Sequence, residues 1–157
     1  MNITVVGGGR IGLPLACVLG KHGAVVTVCD INSMLVEAIF SGLCPYEEPG
    51  LPELMVDLHK TGRLTATTNT AEASAKSDAI IVIVPAHLTA NQTIDFSILQ
   101  QASREIGKGL QPGTLVIYET TVAVGGTRQY LIPVLEKQSG LKVSKDFYVA
   151  YSPCLLY

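Results

Sequence analysis

Ile3-Thr4-Val5-Val6-Gly7-Gly8-Gly9-Arg10-Ile11-Gly12 is the stretch that decides the fold. Four β-branched residues in a row read as a buried strand. Gly7, Gly9 and Gly12 then fall in the spacing G-x-G-x-x-G, and a segment of helical period follows at about Ile11 to His22. Strand, glycine turn and helix in that order form the context in which this spacing binds the pyrophosphate of a dinucleotide. Gly7 permits the tight turn, Gly9 lets backbone approach the phosphates, and Gly12 lets the helix pack closely on the strand. The free N–H groups of the helix start attract the anion. Pro14 lies in the first turn, where its missing N–H costs little. The next strand, Val25 to Cys29, ends at Asp30. Its carboxylate is placed to accept hydrogen bonds from the adenosine ribose and to repel a 2′-phosphate, so the expected cofactor is NAD, not NADP. A bare glycine turn beside a surface aspartate is the other reading of these letters, and the register of strand, helix and Asp30 weighs against it.

Outward from this unit, short apolar runs alternate with helical segments. The strands are expected at Ile3 to Val6, Val25 to Cys29, Leu64 to Thr67, Ala79 to Val84, Leu115 to Glu119 and Phe147 to Ala150. Helices are expected at about Ile11 to His22, Ser33 to Ser41, Leu51 to Lys60, Thr70 to Lys76, Ser97 to Gly109 and Gly126 to Ser139. The pattern predicts an α/β, doubly wound, mostly parallel six-stranded sheet with helices on both faces. Ala79 to Val84 has no polar alternation and belongs at the sheet centre.

The chain has 157 residues, 48% hydrophobic and 15% charged, with a net charge of −2. That suits a single domain, 1–157, with no internal boundary. With 11 Lys+Arg against 13 Asp+Glu and no basic run, no nucleic-acid or anionic-membrane partner is expected. No apolar run approaches the roughly 20 residues of a spanning helix, and no charged leader precedes Ile3, so a cytoplasmic protein is expected. Cys17, Cys29, Cys44 and Cys154 lack metal-ligand spacing and read as reduced thiols with no metal site.

Blocks further along carry a resemblance. Gly9-Arg10-Ile11-Gly12-Leu13-Pro14-Leu15-Ala16 is followed by Tyr46-Glu47-Glu48-Pro49-Gly50-Leu51, then Val84-Pro85 with Leu88-Thr89, and Asp95-Phe96-Ser97. Glu119-Thr120-Thr121-Val122, Gly125, Thr127-Arg128 and Phe147-Tyr148-Val149-Ala150-Tyr151-Ser152-Pro153 complete the series. In order and spacing, from Met1 to about Pro153, the chain resembles the amino-terminal domain of the UDP-glucose/GDP-mannose dehydrogenases, which oxidise nucleotide sugars at C6 to uronic acids. The resemblance implies a Rossmann-type fold. It also implies that Gly7, Gly9, Arg10, Ile11 and Gly12 contact the NAD pyrophosphate and that Asp30 contacts the ribose. Val84, Pro85 and Ala86 would contact the cofactor where it crosses the sheet edge. Thr121 matches a threonine near the nicotinamide that helps position water, an accessory catalytic role; a sheet-end hydroxyl bonded to nearby backbone is the alternative.

Some positions depart from the family pattern. Leu35 stands where many members carry a cation, Ala86-His87 replaces Thr-Pro, and Ala123-Val124-Gly125-Gly126 replaces a proline-rich turn with a more flexible one, so weaker cofactor binding is expected. His87 reads either as a loop residue or as a contact to phosphate or substrate. The family's nucleophilic cysteine and its UDP-sugar-binding domains lie beyond the matched stretch, and none of the four cysteines aligns with the nucleophile. Cys17, Cys29 and Cys44 read as small apolar side chains, and Cys154 as non-catalytic. The leading expectation is therefore the NAD-binding domain of an enzyme acting on a UDP-N-acetylhexosamine or UDP-glucose. A stand-alone NAD-binding module without activity and a relative of the β-hydroxyacid or ketopantoate-type dehydrogenases are the alternatives. An apolar face left for a partner domain, with the terminal Leu155-Leu156-Tyr157, makes a homo-oligomer an open expectation.

Overall fold

The computed structural model describes residues 1–89 and 94–153. In chain order the elements are β1 (Asn2–Val6), α1 (Gly12–Lys21), β2 (Val25–Cys29), α2 (Ser33–Phe40), α3 (Leu51–Lys60), β3 (Leu64–Thr67), α4 (Thr70–Ser74) and β4 (Ala79–Val82). There follow a short hairpin of β5 (His87–Leu88) and β6 (Ile94–Asp95), then α5 (Ser97–Gly109), β7 (Leu115–Tyr118), a π-helical turn at Thr127–Leu131, α6 (Ile132–Ser139) and β8 (Tyr148–Tyr151).

Six strands form one sheet in the order β3-β2-β1-β4-β7-β8, and every pairing within it is parallel. β1 and β4 are the two central strands, as the unbroken apolar run of β4 requires. One sheet face presents Ile3, Val5, Val26, Val28, Leu64, Ala66 and Ile81 to Leu13, Ala16 and Cys17 of α1, Ile39 of α2 and Leu51, Met55 and Leu58 of α3. The other presents Val6, Ile80, Val82, Val116 and Tyr118 to Ala73 of α4, Leu99 and Ile106 of α5, and Leu131 and Leu135 beyond. Helices before β3 therefore cover one face and helices after it the other. The strand order reverses direction between β1 and β4, and that reversal opens a crevice at their carboxyl ends.

Several boundaries differ from expectation, each for a local reason. β4 ends at Val82 instead of Val84. Ile83 N still donates to Val6 O at 2.8 Å, but Pro85 has no N–H for a ladder, and the chain leaves the sheet. β7 ends at Tyr118, with Glu119 N donating to Val82 O at 2.9 Å as the last link. β8 runs one residue later than expected, because buried Phe147 forms an isolated bridge with Val143. α1 begins one residue late, with Ile11 as its N-cap, and α2 ends at Phe40 with Ser41 as its C-cap. α4 stops at Ser74, where the bonds Lys76 N to Ala73 O and Ser77 N to Ser74 O tighten the last turn. The helix expected over Gly126 to Ser139 divides: a π turn closes with Ile132 N donating to Thr127 O, and the α-helix resumes around Pro133. Pro133 can donate no ladder bond, so the wider turn just before it forfeits none there.

Candidate functional site

The glycine turn is shaped by contacts that leave no room for side chains. Gly7 has φ +107°, and a Cβ there would collide with the Ile83 carbonyl of the neighbouring central strand. A Cβ on Gly12 would overlap the Gly7 carbonyl oxygen, so Gly12 is what brings α1 down onto the turn. Gly9 differs from both. Nothing lies within 4 Å of where its Cβ would stand, so the backbone there faces open space. α1 itself has no side-chain cap at Ile11 and no acidic residue in its first turn, which leaves its amino end to an anion.

Asp30 is fixed by two backbone bonds. Its Oδ2 accepts from Gly8 N at 2.8 Å and its Oδ1 from Asn32 N at 2.9 Å, which ties the end of β2 to the glycine turn and to the start of α2. Asn32 in turn caps α2, its Oδ1 accepting from Met34 N and Leu35 N. Leu35 packs against the core below the turn, 3.4 Å from where a Gly8 Cβ would stand, so at this position the chain has apolar packing instead of a charge.

A second layer lies beneath Arg10. Tyr46 Oη donates to Gly8 O at 3.0 Å, and the Arg10 guanidinium carbon lies 5.6 Å from the Tyr46 ring centroid. Burial, then the Asp30 carboxylate, pushes the Tyr46 hydroxyl above its ordinary pKa, with Arg10 opposing, so the group stays a donor at neutral pH. Cys44 Sγ donates to Tyr46 O at 3.2 Å.

At the carboxyl ends of β1, β4 and β7 lies a cleft of about 380 Å³, lined by Gly9, Arg10, Ile11, Gly12, Ile83, Val84, Pro85, Ala86, Glu119, Thr120 and Thr121. Of the expected site residues, the cleft gathers Gly9, Arg10, Ile11, Gly12, Val84, Pro85, Ala86 and Thr121. Gly7 shapes the turn behind it, and Asp30 sits one strand away, bonded to Gly8. Sequence reasoning did not single out Glu119, Thr120 and Ile83, although the rule that ligands bind beyond strand carboxyl ends applies to all three. It also gave Tyr46 no role.

His87 lies in β5, its backbone paired opposite Asp95, and does not line the cleft. Asp95 is held below the ordinary carboxylate range first by hydrogen bonds from Ser97, whose N–H donates at 2.8 Å, and then by the nearby His87. The turn at Ala123-Val124-Gly125-Gly126 is more constrained than expected. Gly125 adopts φ +79°, and a Cβ on Gly126 would come within 2.7 Å of Val122 Cγ1 and 2.8 Å of Phe96 Cζ. Phe96 also meets Tyr130 at a ring separation of 4.5 Å, and the Tyr151 hydroxyl accepts from Val122 N at 3.2 Å, so the segment after Thr121 is packed from both sides.

Cys17 and Cys29 are fully buried free thiols, each pushed up to about 12, chiefly by burial; Cys44 is free and partly buried. Cys154 and Leu155-Leu156-Tyr157 lie outside the described residues. Among the described residues no group of His, Cys, Asp and Glu is arranged to hold a metal ion, and no helix is long and apolar enough to cross a membrane.

This cleft, with an uncapped helix start, an open Gly9 and a fixed Asp30, fits a dinucleotide laid across the strand ends. Comparison with known proteins agrees. Residues 1–157 match the family model described as "UDP-glucose/GDP-mannose dehydrogenase family, NAD binding domain". Protein CapL of Staphylococcus aureus is 38% identical over 97% of this chain and 34% of its own length, and UDP-N-acetyl-D-glucosamine 6-dehydrogenase of Pseudomonas aeruginosa is 37% identical over 98% and 35%. A ternary complex of GDP-mannose dehydrogenase from Pseudomonas aeruginosa superimposes with a TM-score of 0.93 at 31% identity, covering 100% of this chain and 37% of the other. The chain spans about a third of the length of the relatives it matches. It belongs to the UDP-glucose/GDP-mannose dehydrogenase family and constitutes that family's NAD-binding domain.

Proposed function

We propose that this chain is the cofactor-binding part of a nucleotide-sugar 6-dehydrogenase acting on a UDP-N-acetylhexosamine or UDP-glucose, and that it holds NAD across the ends of β2, β1, β4 and β7. NAD, when bound, supplies the hydride acceptor. Gly7 gives the turn its shape, while Gly9, Arg10, Ile11 and Gly12 receive the pyrophosphate through open backbone, helix start and guanidinium. Asp30 accepts from the adenosine ribose with the lone pairs that Gly8 and Asn32 leave over, since a carboxylate has about four acceptor sites. Val84, Pro85 and Ala86 form the apolar wall where the cofactor crosses from β1 to β4 and keep water from that side. Thr121, with Glu119 and Thr120 beside it, lies at the far end of the cleft, where the nicotinamide would rest. Thr121 is the accessory residue, holding a water or the carboxamide with its hydroxyl.

The observation that carries this reading is the single cleft at the β1–β4 reversal, which collects eight of the expected contact residues. Calorimetric titration tests the cofactor. NAD should bind, with NADP at least roughly tenfold weaker because its 2′-phosphate meets the Asp30 carboxylate. No NAD binding, or a preference for NADP, would sink the proposal. For the reaction, a polypeptide of the relatives' full length carrying this domain should reduce NAD when given a UDP-sugar, and lack of NADH formation with every nucleotide sugar tried would count against dehydrogenase chemistry. A cytoplasmic setting also belongs to this reading, and the free thiols fit it. Self-association is a further part, through apolar surface such as the exposed Tyr148 and Tyr151 on edge strand β8. Light scattering that gives a monomer at high concentration would remove this last element.

A further inference from the structure

The Tyr46-Glu47-Glu48-Pro49-Gly50-Leu51 segment lines no part of the cleft, yet one of its side chains reaches the glycine turn. Tyr46 lies 38 positions from Gly8 in sequence, and its hydroxyl donates to the Gly8 carbonyl at 3.0 Å. Its ring lies under the guanidinium of Arg10, which lines the cleft while Tyr46 does not. The segment that carries Tyr46 is anchored at both ends. Leu43 N donates to Ala38 O at 2.8 Å on the α2 side, and Leu51 N to Glu48 O at 3.1 Å where α3 begins. Gly42 and Gly50, at φ +74° and +79°, make the turns that bring the segment across. α3 is seated on α1 through Leu58, which closes on Gly20. Tyr46 therefore stands on a framework tied to the same helix that presents its amino end to the cleft.

We propose that Tyr46 is a positioning residue for Arg10. Its ring holds the guanidinium over the cleft, and its hydroxyl fixes the Gly8 carbonyl, so that Arg10 meets an anionic pyrophosphate already oriented. The inference rests on the cofactor reading above. An exposed arginine held by no fixed surface gives up side-chain freedom on binding, and a ring beneath it removes part of that loss.

The test is calorimetric titration of the 157-residue chain with NAD, ADP-ribose and adenosine, for Tyr46→Leu, Tyr46→Phe, Arg10→Met and the Tyr46→Leu/Arg10→Met double variant. Loss of the ring should weaken NAD and ADP-ribose about five- to tenfold. Adenosine has no pyrophosphate and should change less than about twofold, a selectivity that general loosening of the loop would not give. In the Arg10→Met background, Tyr46→Leu should cost less than about twofold more, because the group it positions is gone. Tyr46→Phe keeps the ring and should stay within about threefold of the parent, which also controls for folding. Equal losses for adenosine, additive losses in the double variant, or a Phe variant as weak as Leu would overturn the Tyr46 proposal while leaving the cofactor reading standing. A parent chain that binds neither NAD nor ADP-ribose would overturn both.

Discussion

Replacing Asp30 with alanine should cost stability as well as cofactor affinity, and the size of the first effect follows from two hydrogen bonds. The carboxylate accepts from Gly8 N at 2.8 Å and Asn32 N at 2.9 Å. Gly8 is buried, so its N–H loses a partner that water does not readily replace, at about 1–3 kcal/mol. Asn32 is exposed, and solvent takes over its N–H for about 0.5 kcal/mol or less. The sum is about 1–3.5 kcal/mol, and at about 2–4 °C per kcal/mol for a domain of this size the midpoint should fall by about 2–14 °C. Asp30→Asn keeps one acceptor oxygen and offers an amide donor where the second acceptor stood, so its loss should be about half as large. Thermal unfolding followed by circular dichroism measures both variants, and titration with NAD and NADP on the same samples should show weaker NAD binding and a smaller gap between the two cofactors. An Asp30→Ala midpoint within about 1 °C of the parent would refute the claim that this carboxylate holds the glycine turn as well as serving the ribose.

Three other outcomes follow from the same structure. Gly12→Ala should destabilise by about 1–3 kcal/mol or more in chemical denaturation and also impair NAD binding, because its Cβ must displace the Gly7 carbonyl; an unchanged midpoint would show that the turn is looser than described. Ser103 Oγ donates to Leu99 O at 2.7 Å and so must accept from the Tyr118 hydroxyl 2.6 Å away, which makes the pair asymmetric. Ser103→Ala strands a buried hydroxyl and should cost about 1–3 kcal/mol, more than Tyr118→Phe at about 1 kcal/mol, with the reverse order contradicting the donor assignment. Cys17 and Cys29 keep their protons in the folded chain up to about pH 12, whereas unfolded thiols release theirs near the ordinary value of 9.0. The unfolded state then holds fewer protons, so the contribution of these thiols is complete below pH 9 and falls as pH rises from there toward 12, by up to about 1.4 kcal/mol per pH unit for each. Denaturation midpoints measured upward from pH 8 should decline less steeply in Cys17→Ala and Cys29→Ala, and an identical slope would contradict the assignment.

The parts legible in the sequence were those whose cause is local or periodic. Val5, Val6 and the β4 run declare buried strands by their side chains alone, and Gly7 and Gly12 stand where the structure admits no Cβ. The β5–β6 hairpin was not legible, because two-residue strands such as His87–Leu88 carry no alternation to read. The π turn was hidden for a different reason: its residues keep an apolar helical period, and only Pro133 marks the change of ladder. In the site, Val84 to Ala86 and Thr121 were legible through the family resemblance, and the carboxyl-end rule, which agrees with them, reaches Glu119 as well when applied to every strand. Contacts across long separations, such as Tyr46 to Gly8 and Tyr151 to Val122, depend on how α3 and β8 dock and have no local signature. The Gly125-Gly126 turn shows the converse case. Composition suggested freedom, whereas left-handed φ at one glycine and tight packing of the other against Phe96 make it a specified bend.

If NAD lies across the strand ends from Asp30 to Thr121, as proposed, an amide-resolved NMR titration of the chain with NAD should map its path. Saturable shifts should fall on Gly8 to Gly12, Asp30, Val84, Ala86 and Glu119 to Thr121, with Asn2, Val25 and Leu115 at the opposite end of the sheet unmoved. Shifts concentrated at that opposite end, or in the separate cleft of about 520 Å³ beside β8 that Arg128 and Ser144 line, would place the cofactor elsewhere and rule out this path.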